Sequence, residues 1–306
     1  MGTKPLEAIL YREFSVAQAK PLIDLACPLL QELVNFGTTT LVRCASSAKG
    51  RKNEDLAILS LYRHILEMTD ASEVLIAHAC AMPVVPLLRS SFEALISSEY
   101  IVEVPESYVT RSLCWLLGYI HDRLAIYDSL DPATPLGAKF QKSIAADVTI
   151  QALALPPAAD VSKAAANLRN LLATPQFVPI EEEFATLKKP KWHRLFDGPT
   201  DLRVLAHRVG KAAQYDFLYR YWSRVTHAQD FAPFIGHRAE GGGTIRGIRD
   251  ISDLKGVASL AASFMLAATR EIILKFRPGE DIRGWYEREI QAPYLSLVRR
   301  NCEQSG

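Results

Sequence analysis

Apolar residues recur at three- and four-residue spacing through most of this chain of 306 residues, while two-residue alternation is almost absent. That rhythm lines apolar side chains along one face of a helix, so it predicts a succession of amphipathic helices. The fold class that follows is all-α, a multi-helix bundle with at most one short β-hairpin near 244–251. There, in Thr244-Ile245-Arg246-Gly247-Ile248-Arg249, side chains alternate as a half-buried strand requires.

Capping and breaking residues divide the pattern. Ser15-Val16-Ala17-Gln18 has the form of a capping box and opens a first helix towards Arg43, bent where Pro28 removes a backbone donor. A second helix starts near Asn53, and another capping box, Asp70-Ala71-Ser72-Glu73, separates it from a short third. Pro83 and Pro86 stand in the first turn of a helix reaching Glu103; Pro105 and Glu106 open the next, which stops near Leu130 before Asp131-Pro132-Ala133-Thr134-Pro135. Residues 137–174 are Ala-rich and interrupted at Pro156-Pro157. A helix from Asp201 breaks at Gly210 and leads into Tyr215 to His227; Asp253 caps an apolar helix ending at Arg277-Pro278-Gly279, and a last helix covers about Ile282 to Arg300. The reading is one helical domain over 1–306, with a core bundle over about 15–130 and 200–300 and a Pro- and Ala-rich excursion over about 131–199. No fixed-period repeat points to a solenoid.

The 35 basic and 34 acidic residues nearly cancel, so nucleic acid, a membrane surface or an acidic substrate has to be met by a local patch. Cys27, Cys44, Cys80, Cys114 and Cys302 are widely spaced and form no Cys-x-x-Cys pair, the usage of a reducing compartment. Met1-Gly2-Thr3-Lys4-Pro5-Leu6 has neither a signal-peptide nor a myristoylation pattern. The longest uncharged runs, Val74 to Leu88 and Gly256 to Thr269, fall short of the ~18 residues a bilayer span needs. A cytoplasmic protein with no membrane partner is expected.

Two helices carry polar residues where an apolar core is expected. Val84 to Val102 is apolar nearly all round, and its exceptions, Arg89, Ser90, Glu93, Ser97 and Tyr100, fall along one face. Arg89 and Glu93 stand one turn apart and can pair, either as a structural ion pair or as part of a site. On Tyr215 to His227, residues Asp216, Arg220, Ser223, Arg224 and His227 share a face, and Phe217, Leu218, Tyr221, Trp222 and Val225 supply an apolar one. Arg220 and His227, two turns apart with Ser223 between them, are equipped for phosphodiester chemistry without a metal. His227 would take the proton of a ribose 2′-hydroxyl while Arg220 offsets charge on the phosphate, with Ser223 or Tyr219 assisting. The plain alternative is a solvated polar face in which Asp216 and Arg220 form a surface pair. If the two stripes face each other, they are one site; if they do not, the functional reading loses most of its support.

A further candidate is Lys188-Lys189-Pro190-Lys191-Trp192-His193-Arg194, a basic cluster in which Lys191 would hold a nucleic-acid backbone and Trp192 stack on a base; a solvated loop between helices has the same composition. His64, His78, His121, His207 and His237 form no pair at metal-ligand spacing, and no phosphate-binding loop or nucleophile elbow is present, so neither a metal nor a cofactor is expected.

Leu87-Leu88-Arg89-Ser90-Ser91-Phe92-Glu93 with Tyr100 beyond it, and the downstream pattern Tyr215-x-x-x-Tyr219-x-Tyr221-x-Ser223-x-x-x-His227, resemble a family of bacterial all-helical proteins classed as a domain of unknown function. The resemblance covers roughly residues 55–230. That family is in turn similar to the wider HEPN group of small helical bundles, which includes metal-independent ribonucleases of toxin and antiviral systems with an Arg-x4-6-His motif at a dimer interface. Arg220 and His227 match that motif at its long limit, with Tyr221 where those nucleases carry a small polar residue. The resemblance implies a metal-independent endoribonuclease, RNA as partner and room for a homodimer. The competing expectation is a non-catalytic, ligand- or partner-binding regulatory module in which Arg89, Glu93, Tyr100, Ser223 and His227 form a buried polar network, with Tyr219 and Arg224 beside it.

Overall fold

Helical spacing in the sequence becomes helix throughout the computed structural model, which describes residues 10–48, 53–151, 156–226, 235–237 and 242–299. In chain order these are α1 (Arg12–Ser47), α2 (Asn53–Ala77), α3 (Val85–Val102), α4 (Tyr108–Leu130), α5 (Pro135–Ala145), α6 (Val148–Gln151), α7 (Ala158–Leu172), α8 (Val178–Thr186), α9 (Leu202–Arg208), α10 (Arg220–Thr226), α11 (Leu254–Phe276), α12 (Ile282–Trp285) and α13 (Gln291–Val298). Two π-turns, Gln214–Tyr219 and Tyr286–Ile290, run directly into α10 and α13. The fold is an all-α, multi-helix one.

Three local expectations change. The capping box at Ser15 to Gln18 opens nothing, because α1 already begins at Arg12 and Ser15 is buried inside it. The capping box at Asp70 to Glu73 caps nothing, because α2 continues through it: Ser72 is buried and its hydroxyl donates back to the Met68 carbonyl at 2.6 Å, the local bond that satisfies a serine inside a helix. The short hairpin pairs β1 (Ile235–His237) with β2 (Gly243–Ile245), Ile235 opposite Ile245, so most of the stretch 244–251 lies beyond the pairing. Past β2, Ile248 is 82% exposed and the chain closes a turn in which the Ser252 N–H donates to Asp250 Oδ1 at 2.9 Å.

The chain divides into two compact units, residues 1–103 with 205–306, and residues 104–204. In the first, α1, α2, α3 and α11 pack on one another around Leu30, Leu33, Ile65, Phe92, Ile96 and Met265, all essentially inaccessible. Gly37 lets α1 approach closely: a Cβ there would lie 2.7 Å from Met265 Cε and 2.8 Å from Leu66 Cδ1. The Tyr62 hydroxyl fills the remaining polar need, donating to the Gly37 carbonyl at 3.2 Å and accepting from the Thr269 hydroxyl at 3.1 Å. Among the described residues α11 is the one helix long and apolar enough to cross a membrane by length and composition, and 56% of its most apolar window is buried inside the protein.

The second unit starts earlier than the excursion expected over 131–199. Helix α4, expected in the core bundle, commits Leu113, Leu117, Ile120 and Leu124 to a core shared with Leu172, Phe177 and Ile180. Gly118 in α4 is packed against Trp192, whose Cβ would stand 3.1 Å from a Cβ at position 118.

Burial also sets thiol reactivity. It pushes Cys27 and Cys114 up to about 12 and Cys44 up to about 11, whereas Cys80 is half-buried; Cys302 lies outside the described residues. Alkylation of the native protein with iodoacetamide at pH 8, read by peptide mapping, is expected to modify Cys80 at least about ten-fold faster than Cys27, Cys44 or Cys114. Comparable rates would show that the thiols of the two cores are open to solvent.

Candidate functional site

The two polar stripes do not face each other: Arg89 and Glu93 of the first are met by Tyr219, which belongs to neither, while Arg220 and Arg224 of the second are exposed. A regular helix would set Arg220 on the inner face with Ser223. The π-turn Gln214–Tyr219 instead closes with the Arg220 N–H on the Tyr215 carbonyl, adding a residue to the turn and rotating everything after it. Tyr219 therefore points inward, 6% exposed, and Trp222 with it at 3%. Phe217, expected on the apolar side, is 79% exposed, and Arg220 and Arg224 are exposed as well.

On α3, Arg89 and Glu93 receive Tyr219 as a closed triad. Arg89 Nη2 donates to the Tyr219 hydroxyl at 3.1 Å, that hydroxyl donates to Glu93 Oε1 at 2.8 Å, and Arg89 Nε lies 3.2 Å from the same carboxylate oxygen. The Arg89 guanidinium sits over the Tyr219 ring, 5.1 Å from its centroid. Burial, reinforced by Glu93, pushes the Tyr219 phenol up to about 12, so it remains a donor across the physiological range. The ring stacks on Tyr215 at 4.8 Å between centroids and packs against Phe92.

The remaining stripe residues go elsewhere. Ser90 bonds His64 Nε2 at 2.7 Å, Ser97 donates to the Glu93 carbonyl at 2.7 Å, and Tyr100 lies under the Arg208 guanidinium at 5.2 Å, with Arg208 paired to Glu103 at 2.9 Å. Asp216 faces His207 at 3.5 Å rather than Arg220. Among the described residues the side chains of Arg220, Ser223 and Arg224 make no hydrogen bond or ion pair. His227 lies outside the described residues.

A second polar cluster has no counterpart in the sequence reading. Ser98 donates to Glu271 Oε1, Lys211 Nζ holds Glu99 Oε1 at 2.9 Å, and Glu99 Oε2 is buried without a hydrogen-bond partner among the described residues. Burial, with Glu99 nearby, pushes Glu271 up to about 7, and burial raises Glu99 against the pull of Lys211. The available signal is Glu271 itself, the one carboxylate in a largely apolar α11.

In the inserted unit, Trp192 is not the stacking platform that its lysine-rich neighbourhood indicates, since its side chain packs on α4 at Gly118 and against the unit's core. Lys191 is exposed. No group of three or more His, Cys, Asp or Glu placed to hold a metal occurs among the described residues. The model of a family of unknown function, DUF5677, matches residues 55–242, a span that contains both polar stripes. No curated protein and no solved structure matches the chain.

Proposed function

We infer the function of this chain, which belongs to the family of unknown function DUF5677, from the outward face of α10. The protein acts on RNA, as a HEPN-like, metal-independent endoribonuclease of a toxin or antiphage system, in the cytoplasm and as a homodimer. The supporting observation is that Arg220 and Arg224 stand one turn apart, exposed and without an ion pair among the described residues, on a helix whose opposite side is locked by the triad. Arginines left unpaired on a fixed helix suit phosphate, which accepts their planar donor fork. In this reading His227 takes the proton of a ribose 2′-hydroxyl, the 2′-oxygen attacks the adjacent phosphorus, and the 5′-oxygen leaves and is protonated. The products are a 2′,3′-cyclic phosphate and a 5′-hydroxyl end, and Arg220 offsets the charge gathering on the phosphate oxygens.

Purified protein incubated with total RNA in EDTA is expected to cleave it. His227→Ala is expected to lose at least about a hundred-fold in rate, the share general-base catalysis supplies, while Arg220→Ala loses RNA affinity as well. Equal cleavage by wild type and His227→Ala would sink the enzymatic reading.

A second reading rests on the triad, whose three groups bond one another through the Tyr219 hydroxyl and the Arg89–Glu93 ion pair. A non-catalytic regulatory module needs such a lock to hold a binding surface in shape, and it predicts RNA or partner binding that depends on Arg220 and Arg224 with no cleavage.

A further inference from the structure

The turn that follows the basic cluster holds an aromatic ring out into solvent on a backbone that resists doing so. Phe196 is 47% exposed and adopts φ +53°, and Asp197 follows at φ +56°. The left-handed region is costly for a bulky residue, and two such residues in succession persist only where the surroundings over-determine them. Those surroundings are well defined. Leu195 is buried beside Phe196, the Phe196 N–H donates to Glu183 Oε1 at 3.1 Å, and the Gly198 N–H donates to the Leu195 carbonyl at 3.2 Å. Burial holds His193 neutral below its ordinary range, and its Nδ1–H donates to the Pro199 carbonyl at 2.7 Å.

A run of lysines stands upstream of this ring. Lys188, Lys189 and Lys191 are exposed and make no ion pair among the described residues, and Arg194 bonds the Lys189 carbonyl at 2.8 Å, which ties the basic strand to the turn. The acidic run upstream is largely committed: Glu181 to His121 Nε2 at 3.0 Å and Glu183 to the Phe196 N–H. Glu182, Glu183, Asp197 and Asp201 keep their charge, so the lysines are a local basic run and not a net positive field. Burying a hydrophobic ring would be the ordinary use of a phenylalanine; here the local hydrogen bonds oppose that and present its face.

We propose that Phe196 with Lys188, Lys189 and Lys191 forms a contact site for a single-stranded polynucleotide, one base stacked on the Phe196 ring and the flanking phosphates on the lysines. A stacking aromatic beside unpaired lysines is the chemistry that recognises a single strand without reading its sequence. Taking that strand as RNA rests on the function proposed above; the site itself lies in the other unit and stands on its own geometry.

The test is binding of fluorescent twelve-nucleotide oligo-U and oligo-dT to the full chain, read by anisotropy over a range of salt. Phe196→Ala is expected to weaken binding about ten-fold while Phe196→Trp stays within about two-fold. Replacing the three lysines by alanine is expected to lower the slope of log affinity against log salt by about 2, three phosphates at ~0.7 each. Similar affinities for the two strands support a site that reads phosphate and base but not the 2′-hydroxyl. Because Phe196→Ala relaxes a strained turn, a second measurement uses the unaltered chain: 5-iodouridine in the oligo-U is expected to crosslink to Phe196. Unchanged binding by Phe196→Ala, or crosslinks confined to other positions, overturns the proposal. Loss of binding in Arg220→Ala with Phe196→Ala unaffected overturns it and leaves the α10 reading standing; the reverse pattern does the opposite, and a wild-type chain that binds neither strand removes both.

Discussion

Tyr219→Ala is expected to destabilise the protein by about 3–5 kcal/mol, and Tyr219→Phe by only about 1–2 kcal/mol. The difference separates what the ring does from what its hydroxyl does. The ring is 6% exposed and fills the space between Phe92 and Tyr215, so truncation leaves a cavity and removes the group that Arg89 and Glu93 share. Phenylalanine keeps the packing and leaves Arg89 and Glu93 to pair directly, since Nε and Oε1 already lie 3.2 Å apart. That ion pair adds little alone: the Glu93 side chain is 38% exposed, and helix pairs one turn apart in solvent contribute about 0.3–0.5 kcal/mol. Urea unfolding of the three proteins measures the series. A Tyr219→Phe loss as large as that of Tyr219→Ala would mean that the hydrogen bonds, and not the buried ring, hold α10 against α3.

The same residue shows where sequence reading stops. The spacing of Arg89 and Glu93 is visible as one turn of a helix, and the structure pairs them. Tyr219 is legible as an assisting residue and in the Tyr215-x-x-x-Tyr219 pattern, but not as the partner of Arg89 and Glu93, because the sequence shows a 3.6-residue rhythm through Gln214–Tyr219, where the backbone makes a π-turn. The extra residue in the turn shifts what precedes α10 relative to α10 itself: Tyr219 goes in beside Trp222 and Phe217 goes out, while Arg220 stays on the polar side opposite Trp222. Nothing in Gln-Tyr-Asp-Phe-Leu-Tyr marks that widening, since it is settled by the packing of Tyr219 and Trp222 rather than by a local propensity. Ser72 makes the complementary point. Its capping pattern was legible, but capping competes with helix continuation, and the buried apolar residues on both sides of it in α2 decide for continuation. Trp192 adds a third reason: Gly118, against which it packs, lies far away in the chain, so the composition of the loop does not say how much of the ring is left exposed.

Glu271→Gln is expected to stabilise the protein by about 3 kcal/mol at pH 8 and to leave it nearly unchanged at pH 4. The folded chain holds this carboxyl at about 7, against an ordinary value of 4.5, because burial and the neighbouring Glu99 disfavour its charge. Between those values the folded state keeps a proton that the unfolded state has released. Raising the pH through that window therefore favours unfolding, and stability present below the lower value is lost by the upper one. At 1.36 kcal/mol per unit the span amounts to about 3 kcal/mol. Above it both states are ionised and the loss is constant. Glutamine mimics the protonated form, still accepts the Ser98 hydroxyl at its amide oxygen, and has nothing to titrate. Lys211 opposes the shift through Glu99, so Lys211→Met is expected to steepen the wild-type dependence by leaving two carboxyls without a cation. Thermal melts at pH 4, 6 and 8 read the effect directly: wild type falls across the series and Glu271→Gln falls less. Parallel curves for the two would show that Glu271 titrates in the folded chain where it does in the unfolded one, so that its surroundings do not disfavour its charge.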